Sequence, residues 1–288
     1  MTMSIRVFAA TTALLTAAVP ANAAPALWQV SDENSKVWLF GSFHLLPPDT
    51  AWRTDIFDRA MADADRVYFE TDVGAAVQGT ILAKAMAMGL NPLGTTLSSQ
   101  LETADAAALR STIAELGLPV GTIQAMQPWL ATNMISTAVI VALGYDPNSG
   151  VDIALQRELP PERKAYFETS DEQLSFLASA PQEEQVGMLV DTLDKLDDLP
   201  GQLDAMVTAW AAGTPDVMAD AFFDDLAGYD AFTQRLIFDR NKNWVAKIDT
   251  MLADNEQDLI VVGAGHLMGD GSVVDLLEKE GFRVKRLQ

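Results

Sequence analysis

The sequence predicts a mixed α/β fold in which both ends of the chain build one central β-sheet and a large helical middle flanks or caps it. Three observations lead there. Short apolar runs lie near both ends, at 37–40, 66–70 and 258–262. Between about 75 and 255 the apolar residues recur every three or four positions, the period of a helix. Each end also follows the order strand, helix, strand, whose crossover favours parallel pairing.

Taken in order, residues 27–30 and 36–40 read as two strands, with Asp32-Glu33-Asn34-Ser35 as the turn between them. Val37-Trp38-Leu39-Phe40 is continuously apolar, the pattern of a strand buried on both faces. A helix over 54–65 places Ile56, Phe57, Ala60 and Met61 on one face, and Arg66–Glu70 is the next strand. Helices follow over 75–89, 101–116 and 128–143, with Gly89, Gly117 and Gly144 at their ends. The third of these is almost wholly apolar, so it is expected at the centre of the core. Further helices are expected over 151–158, 171–179, 182–197, 201–212, 215–222 and 229–253, the last long and open to a break, with a short strand at 164–167. Asp258–Val262 is an apolar strand, Ser272 caps a helix that Gly281 ends, and 282–286 forms the final strand. No Pro/Gly/Ser-rich linker divides residues 24–288, which are expected to form one domain.

The N-terminus carries a different signal. Arg6, a short apolar run from Val7 to Val19, and Ala21-Asn22-Ala23 have the order of a secretory leader, with cleavage expected after Ala23 or Ala24. A periplasmic or secreted protein is therefore expected, without a stable membrane span once residues 1–23 are removed. The formal net charge of -21 disfavours nucleic acid and anionic lipid as partners. The chain has no cysteine, which excludes disulfides, thiolate ligands and a cysteine nucleophile.

Chemistry gathers around the two histidines of the chain. Each lies four residues past an apolar run and in the same frame, Gly41-Ser42-Phe43-His44-Leu45 and Gly263-Ala264-Gly265-His266-Leu267. Glycine after a strand lets the backbone turn sharply or approach a neighbour closely. Both rings should then reach the C-terminal rim of the sheet, where α/β folds hold ligands. Glu70, at the end of the third strand, should reach the same rim as a metal ligand or a general base. Two imidazoles and a carboxylate leave positions open on Zn, Mn, Co or Fe for water or substrate. Ser42 is either a nucleophile beside a histidine or a hydrogen-bonding turn residue. Arg240 and Asn241 could clamp an oxyanion and donate a hydrogen bond, or serve a surface salt bridge; Glu168 could be a site residue or a turn. No Gly-x-Ser-x-Gly elbow, His-Glu-x-x-His helix or P-loop occurs.

These segments resemble the TraB/GumN family, which includes the Tiki and PrgY proteins, and within it the bacterial GumN-like branch. The likeness rests on LWQVSDENSKVWLFGSFHLLPPD from Leu27, YFE ending at Glu70, GVDIALQ, YFETSDEQL, AWAAG, DRNKNW and VVGAGHLMGDGSVVDLLEKEGFRVKRL. It implies the α/β core likened to haem-binding ChaN and erythromycin-esterase-like proteins. It further implies a Tiki-like metal-dependent protease using Mn or Co. Under that resemblance His44 and His266 are metal ligands and Glu70 is a ligand or catalytic carboxylate. Arg240 and Asn241 match a shared Arg-Asn pair, and Glu168 a Leu-Glu-Thr-like segment in which this chain carries Phe167. The leading expectation is an exported metal-dependent hydrolase acting on a peptide or protein. The alternatives are a non-catalytic module that binds metal, haem or peptide, and an accessory factor for surface polysaccharide.

Overall fold

The computed structural model describes residues 23–288. Residues 1–22, which carry nearly all of the expected leader, lie outside the described residues. The domain begins with a hairpin of β1 (Leu27–Ser31) and β2 (Lys36–Ser42). Asp32 fixes its turn by accepting from the Asn34 and Ser35 backbone amides and from the Ser35 hydroxyl. Helix α1 (Asp55–Asp63), capped by the Thr54 hydroxyl, leads back to β3 (Arg66–Phe69).

The helical middle comprises α2 (Ala75–Gly89), α3 (Thr103–Glu115), α4 (Val120–Gln124), α5 (Pro128–Ala142) and α6 (Val151–Glu158). After β4 (Lys164–Tyr166) come α7 (Ser170–Ala178), α8 (Gln182–Asp194), α9 (Leu199–Ala211) and α10 (Pro215–Asp225). The stretch expected as one long helix over 229–253 is α11 (Asp230–Thr233), a π-helical turn (Gln234–Phe238) and α12 (Asp239–Ala253). The chain ends with β5 (Asp258–Gly263), a 3-10 turn (Ala264–His266), α13 (Val273–Lys279) and β6 (Arg283–Arg286).

The expected mixed α/β architecture is present. Six strands form one sheet in the order β4-β3-β5-β2-β1-β6. β1 runs against its neighbours β2 and β6, while β2, β5, β3 and β4 are parallel. Side chains alternate across the sheet, so Phe40, Phe69 and Val261 pack on one face with Phe57 and Trp210. Leu39, Ile260 and Val262 pack on the other with Trp244 and Ile248. Burying each such large side chain contributes roughly 1.5–3 kcal/mol.

A third cluster contains no strand residue. It joins Leu97, Leu109, Ile113, Ile123, Trp129, Ile135 and Leu189 from the helical middle. Helix α5 belongs here, which corrects the expectation that it lies at the centre of the core. Its first half is buried, but Val141 is 46% exposed, because α5 packs on helices and not on the sheet. Gly89 is the last residue of α2, at the helix end as expected, and a Cβ there would overlap Leu130 of α5. Helix α4 is an element the apolar period did not predict; it spans only five residues. Among the described residues no helix is long and apolar enough to cross a membrane.

Candidate functional site

The four parallel strands present their C-terminal ends on one rim. Ser42 of β2 pairs with Gly263 of β5, and Phe69 of β3 pairs with Val261 of β5 and Tyr166 of β4. The next residues therefore leave the sheet side by side, and Glu168 donates its amide to the Glu70 carbonyl at 2.9 Å. Two of these strands extend further than expected, β2 to Ser42 and β5 to Gly263. His44 thus lies two residues beyond its strand, and His266 closes the 3-10 turn after β5.

The histidines and Glu70 converge. A Cβ on Gly263 would stand 3.1 Å from Glu70 Oε1, 3.7 Å from His44 Nε2 and 3.7 Å from His266 Cδ2. Glycine at this position leaves open the space those three side chains surround. Gly41 serves closeness as well, since a Cβ there would come within 3.0 Å of the Ala264 backbone. Gly265 lies against the ring of Phe222 from α10, where a Cβ would be 2.9 Å from the ring.

Each imidazole is oriented from behind. His44 donates from Nδ1 to Asp152 Oδ2 at 2.8 Å, and Ser42 Oγ donates to the other oxygen at 2.9 Å. Ser42 is thereby a hydrogen-bonding residue that helps hold Asp152. The Asp152 carboxylate pulls the His44 pKa up to about 9. The His44 side chain is 59% exposed, so solvent screens part of that pull. His266 is buried, and Arg240 Nη1 approaches its Nε2 at 3.0 Å. A guanidinium only donates, so Nε2 accepts and Nδ1 carries the proton, which it donates to Asn241 Oδ1 at 2.7 Å. Burial, with Arg240 beside it, pushes the His266 pKa down to about 3 and keeps the ring neutral.

Arg240 binds the rim from beneath. It reaches Glu70 Oε2 at 2.5 Å and both oxygens of Glu168 at 2.8 Å, and donates to the Leu236 carbonyl at 3.0 Å. Its donors are thus spent inside the protein, leaving no fork for a substrate carboxylate or oxyanion. Asn241 likewise gives its amide to the Gly271 carbonyl at 2.9 Å and acts through His266. Burial alone would raise the Glu70 pKa, but Arg240 and the two imidazoles overcome it and hold the group well below the usual carboxylate range. Gly263 N–H at 2.7 Å and Gln173 at 3.0 Å complete its partners. Glu168 sits behind Arg240, and there burial prevails and raises its pKa.

Three partners were not singled out from the sequence: Asp152, Gln173 and Gln156, the last bonded to Val73 N and the Thr71 carbonyl. Asp152 and Gln156 lie in α6 and Gln173 in α7, all inside segments that carry the family resemblance. The physical signal for Asp152 is Gly150, where a Cβ would overlap the His44 carbonyl. That close approach delivers the first turn of α6 to His44.

The donor set suits a divalent ion. Two imidazole nitrogens each backed by a hydrogen-bond acceptor, beside one carboxylate, are the usual surroundings of a metal ligand set. Yet among the described residues no three His, Asp or Glu groups stand close enough to hold an ion as they are. His266 Nε2 and Glu70 Oε1 are 3.8 Å apart, and Arg240 Nη1 occupies the His266 lone pair. A ligand role for His266 requires that hydrogen bond to yield.

Helices of the middle flank the rim and border an open cleft of about 510 Å³. In the chain, 56 residues are 38% identical to the metalloprotease TIKI homolog of Nematostella vectensis, a match covering 19% of this chain and 12% of that relative. No solved structure matches. The description TraB/PrgY/gumN family fits residues 26–286, from β1 to β6 and through every residue of the rim, and the chain belongs to that family.

Proposed function

We propose that this chain is an exported metal-dependent hydrolase of peptide bonds, with His44, His266 and Glu70 as the residues that hold the ion. The observation that carries the reading is the open space at Gly263, bordered by all three side chains. The partial likeness to a metalloprotease TIKI homolog supports the reaction class. A bound Mn, Co or Zn would supply a Lewis acid and lower the pKa of water.

The protein's own groups have distinct work. Asp152 holds the proton on His44 Nδ1, and Asn241 holds that on His266 Nδ1, which leaves the Nε2 lone pair of each ring as the one an ion would take, that of His266 once Arg240 releases it. Arg240, Gln173 and the Gly263 amide keep Glu70 ionised, which suits a ligand better than a proton carrier. Export is supported by the leader-like order of residues 6–23.

A non-catalytic binder is the second reading, favoured by Arg240, whose donors are all engaged inside the protein and leave none for an oxyanion. The two part on turnover. Purified chain freed of its leader, treated with chelator and resupplied with Mn, Co or Zn, is expected to cleave peptides, and Glu70→Gln to abolish cleavage. Ion binding with no cleavage of a broad peptide library selects the binder.

A further inference from the structure

The cleft above the rim has a polar floor and a mostly apolar wall, to which the helices also bring Asn133 and Gln173. On the floor every charged group already has a partner inside the protein: Arg240 with Glu70 and Glu168, and His44 with Asp152. The apolar part of the wall is formed by Leu177 of α7, Met206 of α9, Met218 and Phe222 of α10, and Leu236 of the π-helical turn, with Met268 beyond the second histidine. The volume of about 510 Å³ falls within the roughly 300–1,000 Å³ of small-ligand pockets. Methionines adapt their shape to different apolar groups.

Charge and position narrow the occupant. A charged side chain against the apolar wall would lose part of its hydration and find no free counter-charge there. Acidic peptides are also repelled by a chain of net charge -21. Phe222 packs against Gly265, the residue before His266, so the apolar wall begins beside the candidate reacting centre.

We propose that this wall receives a large uncharged apolar side chain of a peptide, next to the bond at the rim, and that Phe222 and Met206 set the preference. The proposal rests on the peptidase reading for the identity of the ligand as a peptide. Both residues are half-buried, and neither hydrogen-bonds the rim side chains.

The test uses end-blocked tetrapeptides of alanine in which one central residue is Phe, Leu, Ala, Asp or Lys, at each central position. Binding to the full leader-free chain is measured by calorimetry, and cleavage by chromatography. Phe and Leu peptides are expected to bind at least about tenfold more tightly than the Ala peptide, with Asp weakest. Phe222→Ala should bring the Phe peptide to within about threefold of the Ala peptide. Met206→Ala gives a second reading should Phe222→Ala fold poorly, and Met206→Glu should admit the Lys peptide. Equal binding of the Phe, Ala and Asp peptides, no peptide binding, or a preference unchanged in the folded variants overturns the proposal. Preferential binding without cleavage leaves the apolar wall standing and removes the peptidase reading; cleavage without preference does the reverse.

Discussion

Gly263 borders the space between His44, Glu70 and His266, and a larger residue there would enter it. Its φ of -50° accepts alanine, so Gly263→Ala adds one methyl group to the open space without backbone strain. Ion affinity is expected to fall by about 10–100-fold, as when partners around a ligand set are disturbed, with Tm moving less than about 5 °C. Calorimetric titration and a thermal melt read both. Arg240→Met should behave oppositely. It strands the Glu70 and Glu168 carboxylates in a buried place and should cost about 3–5 kcal/mol in denaturant unfolding. The His44 pKa gives a sign for pH. Raised to about 9, His44 carries a proton below that pH, and an ion must displace it. In chelator-treated protein, ion affinity should climb about tenfold per unit as pH rises toward 9, then level off. An affinity that falls over the same range contradicts His44 as a ligand. At this scale the two histidines and Glu70 were legible, because strand ends in a parallel sheet share a rim. Asp152 was not, since it meets His44 across 108 residues and sits in an amphipathic helix that reads as ordinary packing.

Helix α6 shows how an element carries a side chain to the site. Its N-terminal residue Val151 donates its amide to the Phe43 carbonyl at 3.0 Å, and Gly150 lies directly on the His44 backbone. Gly150→Ala should push α6 away from β2, loosen Asp152 from His44, and cost about 1–3 kcal/mol through overpacking. Thermal melts give the stability change, and titration should show weaker ion binding in the same variant. The π-helical turn before α12 is the other such element. It turns Leu236 and Ile237 to the cavity and brings the Leu236 carbonyl to Arg240, and π turns concentrate at functional sites. Helical periodicity marked a long run over 229–253 but could not locate the extra residue, because one π turn shifts the apolar stripe only slightly. The strands were legible from their apolar runs, whereas the placement of α5 was not. An apolar helix reads the same whether it packs on a sheet or on other helices.

Across the whole molecule, both termini build five strands of the sheet, the middle adds the edge strand β4, and its helices flank the candidate rim. The sheet order was not readable from the sequence: β5 enters between β3 and β2, joining residues about two hundred apart. The leader belongs to this scale as well. Expression of the full chain in a bacterial host should yield a periplasmic product whose first residue, by intact mass, is Ala24 or Pro25; an uncleaved cytoplasmic product contradicts export. The central claim is that one ion is held jointly by residues that closely follow β2, β3 and β5. Titration of chelator-treated protein with Co2+, followed by visible absorption, tests it most directly. One ion per chain, with the signal lost in both His44→Ala and His266→Ala, is the result expected; no binding, or binding that survives in both variants, would contradict the claim.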